Sequence, residues 1–480
     1  VIADILNYLG YDAATVGNHD IEAGHNVYDR VRREYNFPML AANAVDITTG
    51  KPYFEPYTVI RKKGLKVVVF GLITPSVPRW LPESLYHGIR FENMISTARR
   101  WMPEMLAEEP DLVIGLFHSG MGDERDRGDD ENSTLAVAMN VPGFDVIFCG
   151  HDHRQEIKEV INDAGKKVLV LDGGSRAEAL MNVTVEIERG ADGSITPDLS
   201  GRIIPMNTIP ESTAFLKRYS AASARVREYT SEVIGRSSAR ATTRDAFFGP
   251  SAFVDLIHLM QLELTGARVS LAAPLSFDQS IDRGELRIRD MYRLYRFENF
   301  LYTVNMTGGE IDRHLEHAAG QWFETMEKSS DYMLRYRYNE DGRPVMVNGT
   351  ARLRNPSYNF ESAMGIRYTV DVSKPQGARV NITSLSDGTP FSYSETYTVA
   401  VNSYRANGGG GHFPAAGITG RELEKRLVSA TERDLRHYMT EWIRERGTIS
   451  PEPLSEWSII PAEWAAGAEK RERQLLFGSN

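Results

Sequence analysis

The stretch Val16-Gly17-Asn18-His19-Asp20-Ile21-Glu22 sets an amide, an imidazole and two carboxylates on a glycine turn directly after a short apolar strand. Asn18 offers a neutral oxygen suited to hard or borderline cations, and His19 can deliver a proton to a leaving alkoxide. Together they point to metal-assisted hydrolysis. The same residues could equally form an Asx-type turn between strand and helix. The decision rests on what else the chain brings to the same place.

Apolar runs at 65–72, 112–117, 144–149 and 168–171 have the near-continuous pattern of strands buried on both faces, and helical stretches such as 94–106 separate them. The run at 112–117 stops at His118-Ser119-Gly120, and the run at 144–149 stops at Gly150-His151-Asp152-His153. In open α/β sheets ligands gather beyond the carboxyl ends of strands. Asn18, His118, His151 and His153 are therefore expected at one edge, as ligands of two divalent metal ions. His151 and His153 alternate with Asp152, so an extended backbone would point both rings to one side. Imidazole and amide donors suit zinc, manganese and iron alike. Cys149 reads as a buried strand cysteine rather than a ligand. The charged segment 123–132 reads as an exposed loop rather than a binding site.

The positioning elements can be read in the same way. Val1, Ile2, Ile5, Leu6 and Leu9 recur at helical spacing and Gly10 closes the run, with no cap before Val1. The chain is expected to open inside a helix, with at least one earlier strand upstream. A strand pair around 181–187 with a turn at Asp192-Gly193 completes an α/β layer, and Pro205 and Pro210 flank a change in composition. Residues 211–233 read as a charged, alanine-rich connecting helix. Beyond it come a helix at 253–264, a strand at 301–305, and a polar helix at 309–318 that would leave His314 and His317 facing solvent. A strand at 399–404 enters Arg405-Ala406-Asn407 and the glycines 408–411. Such a loop permits close approach of a ligand to backbone, or is simply a flexible hairpin loop. Residues 452–480 hold Trp457 and Trp464 but show no period, and read as a tail packed on the surface. The expected organisation is an α/β domain at 1–208, a helical linker at 209–245, an α+β substrate-binding domain at 246–450 and a tail at 451–480.

Composition narrows the partners. The 480 residues carry a net charge of −10 and 41% hydrophobic content, enough for two or three cores and without the basic footprint of a duplex nucleic acid binder. A small anionic substrate needs a local positive site, which bound metal could supply. One cysteine excludes an internal disulfide. No apolar run approaches a membrane span and no charged-then-apolar segment opens the chain.

Gly17-Asn18-His19-Asp20, His118-Ser119-Gly120 and Gly150-His151-Asp152-His153 resemble the metallophosphoesterase signature blocks in their usual order. The second half resembles the C-terminal domain of the 5′-nucleotidase family, in Tyr295-Arg296-Phe297-Glu298-Asn299, Asn305-Met306-Thr307-Gly308 and Asn402-Ser403-Tyr404-Arg405-Ala406-Asn407. Within that family, Ala273-Pro274, Tyr358-Asn359-Phe360 and Tyr404-Arg405-Ala406 with the glycines look most like the bifunctional 2′,3′-cyclic-nucleotide 2′-phosphodiesterase/3′-nucleotidase branch. The resemblance implies Asn18, His118, His151 and His153 as dimetal ligands and His19 as the catalytic histidine, partnered by Glu22. It implies a nucleobase held between Phe297 and Tyr404, a polar contact from Asn299, and Arg405, Gly408 and Gly409 in the substrate site. It also implies a nucleotide as the substrate and a periplasmic or cell-surface location.

Three departures stand out. The family's Asp-x-His and Gly-Asp blocks have no counterpart before Asn18, so they are expected upstream, and one metal or none is expected without them. Glu22 stands where 5′-nucleotidases have an aspartate, and Gly410 stands where they carry an aspartate for the ribose hydroxyls. Cyclic-phosphodiesterase and 3′-nucleotidase action is therefore the expectation, with 5′-nucleotidase or nucleotide-sugar hydrolase action, or nucleotide binding without catalysis, as alternatives.

Overall fold

The computed structural model describes residues 1–478 apart from 82, 124, 129, 190–194 and 348. The chain divides into two compact units, Val1–Ser220 and Ala221–Asn480.

The first unit is built on a six-stranded sheet, in the order Tyr57–Lys62, Leu65–Ile73, Leu112–His118, Val146–Gly150, Lys167–Gly173, Gln155–Ile161. The four central strands are parallel and the two edge strands antiparallel. All four expected buried runs are central strands. Helices Met94–Ala107 and Thr134–Asn140 cover one face, where Met94, Met102, Met105 and Leu135 pack on Val68, Phe70 and Phe117. Met181, Val183 and Leu199, from the hairpin Ala179–Arg189 and Ile195–Pro205, cover Val146, Leu169 and Leu171 on the other. The turn expected at Asp192-Gly193 lies outside the described residues. Two-sided cover explains why these strands lack alternation. Outside the sheet, Ala14–Thr15 pairs parallel with Met39–Leu40, and the Thr15 hydroxyl donates to the Leu72 carbonyl at 3.2 Å.

The second unit holds a mixed five-stranded sheet, in the order Ser362–Met364, Val269–Ala272, Thr396–Asn402, Leu301–Thr307, Leu427–Ala430. Helices Ala252–Thr265 and Gly308–Trp322 pack on it, which is the expected α+β arrangement. The linker is α-helical only over Thr213–Thr230, a helix with no buried residue. Val233–Ser237 is a strand paired with Gly284–Arg287, so the helical linker expected as far as 245 is too long.

The tail also requires correction. Glu456–Ile460 pairs in parallel with Ile366–Asp371, and Ala462–Phe477 is a helix. Trp457 and Ile459 alternate inward, while Ala468, Glu472 and Leu476 recur every fourth residue and are buried. Asp255 accepts hydrogen bonds from the Leu454 and Ser455 amides at 2.6 and 2.9 Å. The buried Glu472 carboxylate accepts from the Met333 and Leu334 amides at 2.7 and 3.0 Å and from the Tyr336 hydroxyl at 2.8 Å. A glutamate on the inward stripe hides the period from a reading that counts only apolar residues.

Glu472→Ala strands two backbone amides and a phenol and is expected to cost the second unit about 3 kcal/mol. A surface tail would lose under about 0.5 kcal/mol, and chemical denaturation followed on the tryptophans of that unit separates the two outcomes.

Candidate functional site

In the first unit the parallel register sets Ile73 beside His118 and His118 beside Gly150, so three strand ends lie flush. Gly17 leads into the short helix Asn18–Glu22, and Asp20 accepts from the Gly17 amide at 2.8 Å, fixing the turn. A β-carbon on Gly17 would sit 3.0 Å from the His118 ring, so glycine here lets the imidazole reach Asn18. His118 Nε2 lies 2.8 Å from Asn18 Oδ1 and 3.2 Å from His151 Nδ1. His151 Nε2 in turn faces Glu131 Oε1 at 3.1 Å. A carboxylate can only accept, so Nε2 carries the His151 proton and Nδ1 presents its lone pair to His118. One N–H of His118 is thus shared between an amide oxygen and an imidazole nitrogen.

Burial, then the neighbouring His151, His19 and His153, push the His118 imidazole down to about 3. It is neutral at physiological pH, the form that ligates metal. His151 does not continue an extended strand. Its φ is 121° and that of His153 is 62°, both in the left-handed region where a side chain is strained. The expectation that extended backbone carries both rings to one side is corrected: a strained turn aims His151 inward and leaves His153 exposed. His153 makes none of these hydrogen bonds.

Two residues were not singled out from sequence. The Trp80 ring lies 5.3 Å from that of His151, and Glu131 belongs to the segment read as a mere exposed loop. That segment instead borders the site, since Asn132 Oδ1 accepts from the Gly120 amide at 2.9 Å and Ser119 donates to the Glu131 carbonyl at 3.0 Å. Its charge density masked these contacts. Cys149 is buried, as expected, and burial pushes its thiol up.

His19 stands apart, with its side chain 75% exposed and Nδ1 held 2.6 Å from Glu22 Oε2. The longer glutamate therefore reaches the histidine, and Nδ1 is the donor.

Among the described residues no group of three His, Cys, Asp or Glu side chains is placed to hold a metal ion. Asn18, His118 and His151 nevertheless fit one by donor type. If the shared His118 proton is replaced by a cation, one oxygen and two nitrogens already point toward it, all of them neutral donors.

In the second unit, strand Thr396–Asn402 delivers the short helix Ser403–Ala406, capped by Asn402 Oδ1 on the Arg405 amide at 2.9 Å. Tyr404 and Phe297 are both half-buried. The Tyr358 ring lies edge-on to each, 5.6 Å from Phe297 and 6.4 Å from Tyr404. The Arg296 guanidinium lies 5.2 Å from the Phe297 ring, and Gly409 packs so closely on Tyr404 that no side chain fits there. Gly408, Gly410 and Gly411 all have positive φ. Asn299 is buried and donates to the Tyr295 hydroxyl at 3.2 Å.

Arg405 requires correction as a substrate contact. It is 1% exposed, its Nε lies 2.8 Å from Glu361 Oε1, an ionic contact without a well-directed hydrogen bond, and its guanidinium donates to the Gly409 and Tyr358 carbonyls. His314, expected to face solvent, is wholly buried with Nε2 at 2.5 Å from Glu361 Oε2. Burial pushes the Glu361 carboxyl up, but Arg405 and His314 outweigh it and hold it well below the usual range. His317 Nε2 lies 3.0 Å from the Gly410 carbonyl. The Gly308–Trp322 helix looks polar, yet His314, His317 and Gln321 meet this network, and Glu310 and Glu316 meet Arg426 and the Gly377 and Val380 amides.

Residues 2–155 match the family model for calcineurin-like phosphoesterases, and residues 232–417 match that of the 5′-nucleotidase C-terminal domain. The trifunctional nucleotide phosphoesterase protein YfkN of Bacillus subtilis is 26% identical over 96% of this chain, which spans 33% of that relative's length. A 2′,3′-cyclic-nucleotide 2′-phosphodiesterase/3′-nucleotidase of Haemophilus influenzae is 24% identical over 95% of this chain and 76% of its own. A 5′-nucleotidase precursor from Thermus thermophilus has the same fold, with a TM-score of 0.64 at 22% identity over 96% of this chain and 86% of that one. With residues 2–155 carrying the histidine edge and residues 232–417 carrying the aromatic rings, the chain joins a calcineurin-like metallophosphoesterase domain to a 5′-nucleotidase C-terminal domain.

Proposed function

We propose that this chain hydrolyses nucleotide phosphoesters in a metal-dependent reaction, with 2′,3′-cyclic and 3′-nucleotides as its substrates. The observation that carries the reading is the convergence of Asn18, His118 and His151 at the flush strand ends. These residues, with His153 on the next turn, would hold divalent cation, which when bound supplies Lewis-acid polarisation of the phosphoryl oxygens. Two ions are what the family resemblance implies. Zinc, manganese and iron all suit the donors.

The chain's own groups supply the rest. Glu22 fixes the ring and tautomer of the exposed His19, which would contact the scissile phosphate and move a proton at the leaving oxygen. Phe297 and Tyr404 bind the base by stacking, which tolerates different bases. Gly408 and Gly409 allow backbone to come close, and Asn299, whose amide is tied to Tyr295, would supply a polar contact to the base.

The loop argues against 5′-nucleotidase action. A β-carbon at Gly410 would run into the Arg405 guanidinium and Asn359 Oδ1, and the φ of 70° disfavours any side chain. An aspartate for the ribose hydroxyls cannot take that place. The direct test compares phosphate release from 3′-AMP and 5′-AMP and ring opening of 2′,3′-cyclic AMP, with manganese or zinc added. The cyclic and 3′ substrates are expected to exceed the 5′ ester, and the reverse order rejects the assignment.

His19→Ala is expected to lower turnover by about 10²- to 10⁴-fold while leaving the metal content of the protein nearly unchanged, measured by elemental analysis of the same preparation. Loss of metal in step with activity would make His19 a ligand instead. Phe297→Ala and Tyr404→Ala should each weaken nucleotide binding by about 1–3 kcal/mol, seen calorimetrically with a 3′-monophosphate, and unchanged affinity in both removes the stack.

A further inference from the structure

We infer that Tyr358 is the third wall of the base site and sets its preference between purines and pyrimidines, an assignment that rests on the nucleotide reading above. Its ring stands at 82° to Phe297 and at 85° to Tyr404, so the two rings that would sandwich a base both meet the same tyrosine edge to face. Arg296 covers Phe297, and Gly409 packs flat on Tyr404. Tyr358 therefore bounds the space open to a base stacked on either ring.

The wall is fixed from below. The Tyr358 carbonyl accepts from Arg405 Nη2 at 2.5 Å, and the next residue's carbonyl, that of Asn359, lies 3.1 Å from His412 Nε2. Glu361 neutralises Arg405 with one oxygen and meets His314 with the other, both contacts wholly buried. A buried charge held by two partners resists displacement, because breaking either contact leaves the other group unpaired. The backbone that carries the Tyr358 ring is thus held in place by buried side chains. A stack alone reads the π-face that every base has, whereas a rigid wall at its edge reads size.

The experiment measures kcat and KM for adenosine and cytidine 2′,3′-cyclic phosphates with the full chain and its variants. Tyr358→Ala is expected to shift the purine-to-pyrimidine ratio of kcat/KM toward the purine by about tenfold, with the change in KM. Tyr358→Phe, which keeps the ring, should retain the original ratio. Tyr358→Leu shortens the wall without emptying it, and its ratio should move in the same direction if the alanine variant fails to fold. An unchanged ratio in the alanine or leucine variant overturns the assignment while leaving the nucleotide reading intact. A wild-type chain that turns over neither nucleotide sinks both.

Discussion

The flush ends of the parallel strands Leu65–Ile73, Leu112–His118 and Val146–Gly150 are the constraint on which the candidate site of the first unit depends. Parallel pairing carries every carboxyl end to one edge, and this register sets His118 beside Gly150 without a slip. Burial of that edge then makes His118 neutral, and Gly17 clears the space for its ring. A one-residue shift would move His118 to the opposite face, away from Asn18 and His151. The strained backbone at His151 and His153 is the local cost, of order 1–3 kcal/mol each, of turning imidazoles back over the edge.

The second unit answers to a different constraint. A carboxylate as deeply buried as Glu361 persists only if both oxygens are matched, and the matching groups, Arg405 and His314, come from different elements. That pairing ties the Ser403–Ala406 turn to the Gly308–Trp322 helix. It gives a loop of four glycines a definite shape, with Arg405 and His317 each reaching a loop carbonyl. The aromatic rings inherit their placement from this network, since Tyr404 precedes Arg405 and the Tyr358 carbonyl is one of its acceptors.

The two halves divide the chemistry by physical type. Nitrogen and oxygen donors at a sheet edge suit cation and phosphate, which are small, charged and demanding of geometry. Aromatic faces around a glycine loop suit a base, which is planar and apolar. Both sites are built on strand ends, where the backbone leaves the sheet and its side chains are released from packing.

From sequence alone, strand runs buried on both faces could be counted, and the polar residues at their ends could be assigned to a common edge, because a parallel sheet leaves them nowhere else to go. The pairing of His19 with Glu22 was implied by the family resemblance and not by spacing, and the structure joins them. What tertiary structure decided were the matters that depend on partners remote in sequence. Arg405 looked like a substrate contact until Glu361 was found beneath it, and His314 looked solvated until the same carboxylate claimed it. Glu131 was lost in a charged loop, and Glu472 broke the apolar period of a helix that proved to be core. For His314, Glu131 and Glu472 a polar or charged residue reads from sequence as a sign of water. Periodicity locates apolar burial well, but a buried charge is recognisable only once its partner is known, and that partner is supplied by the fold.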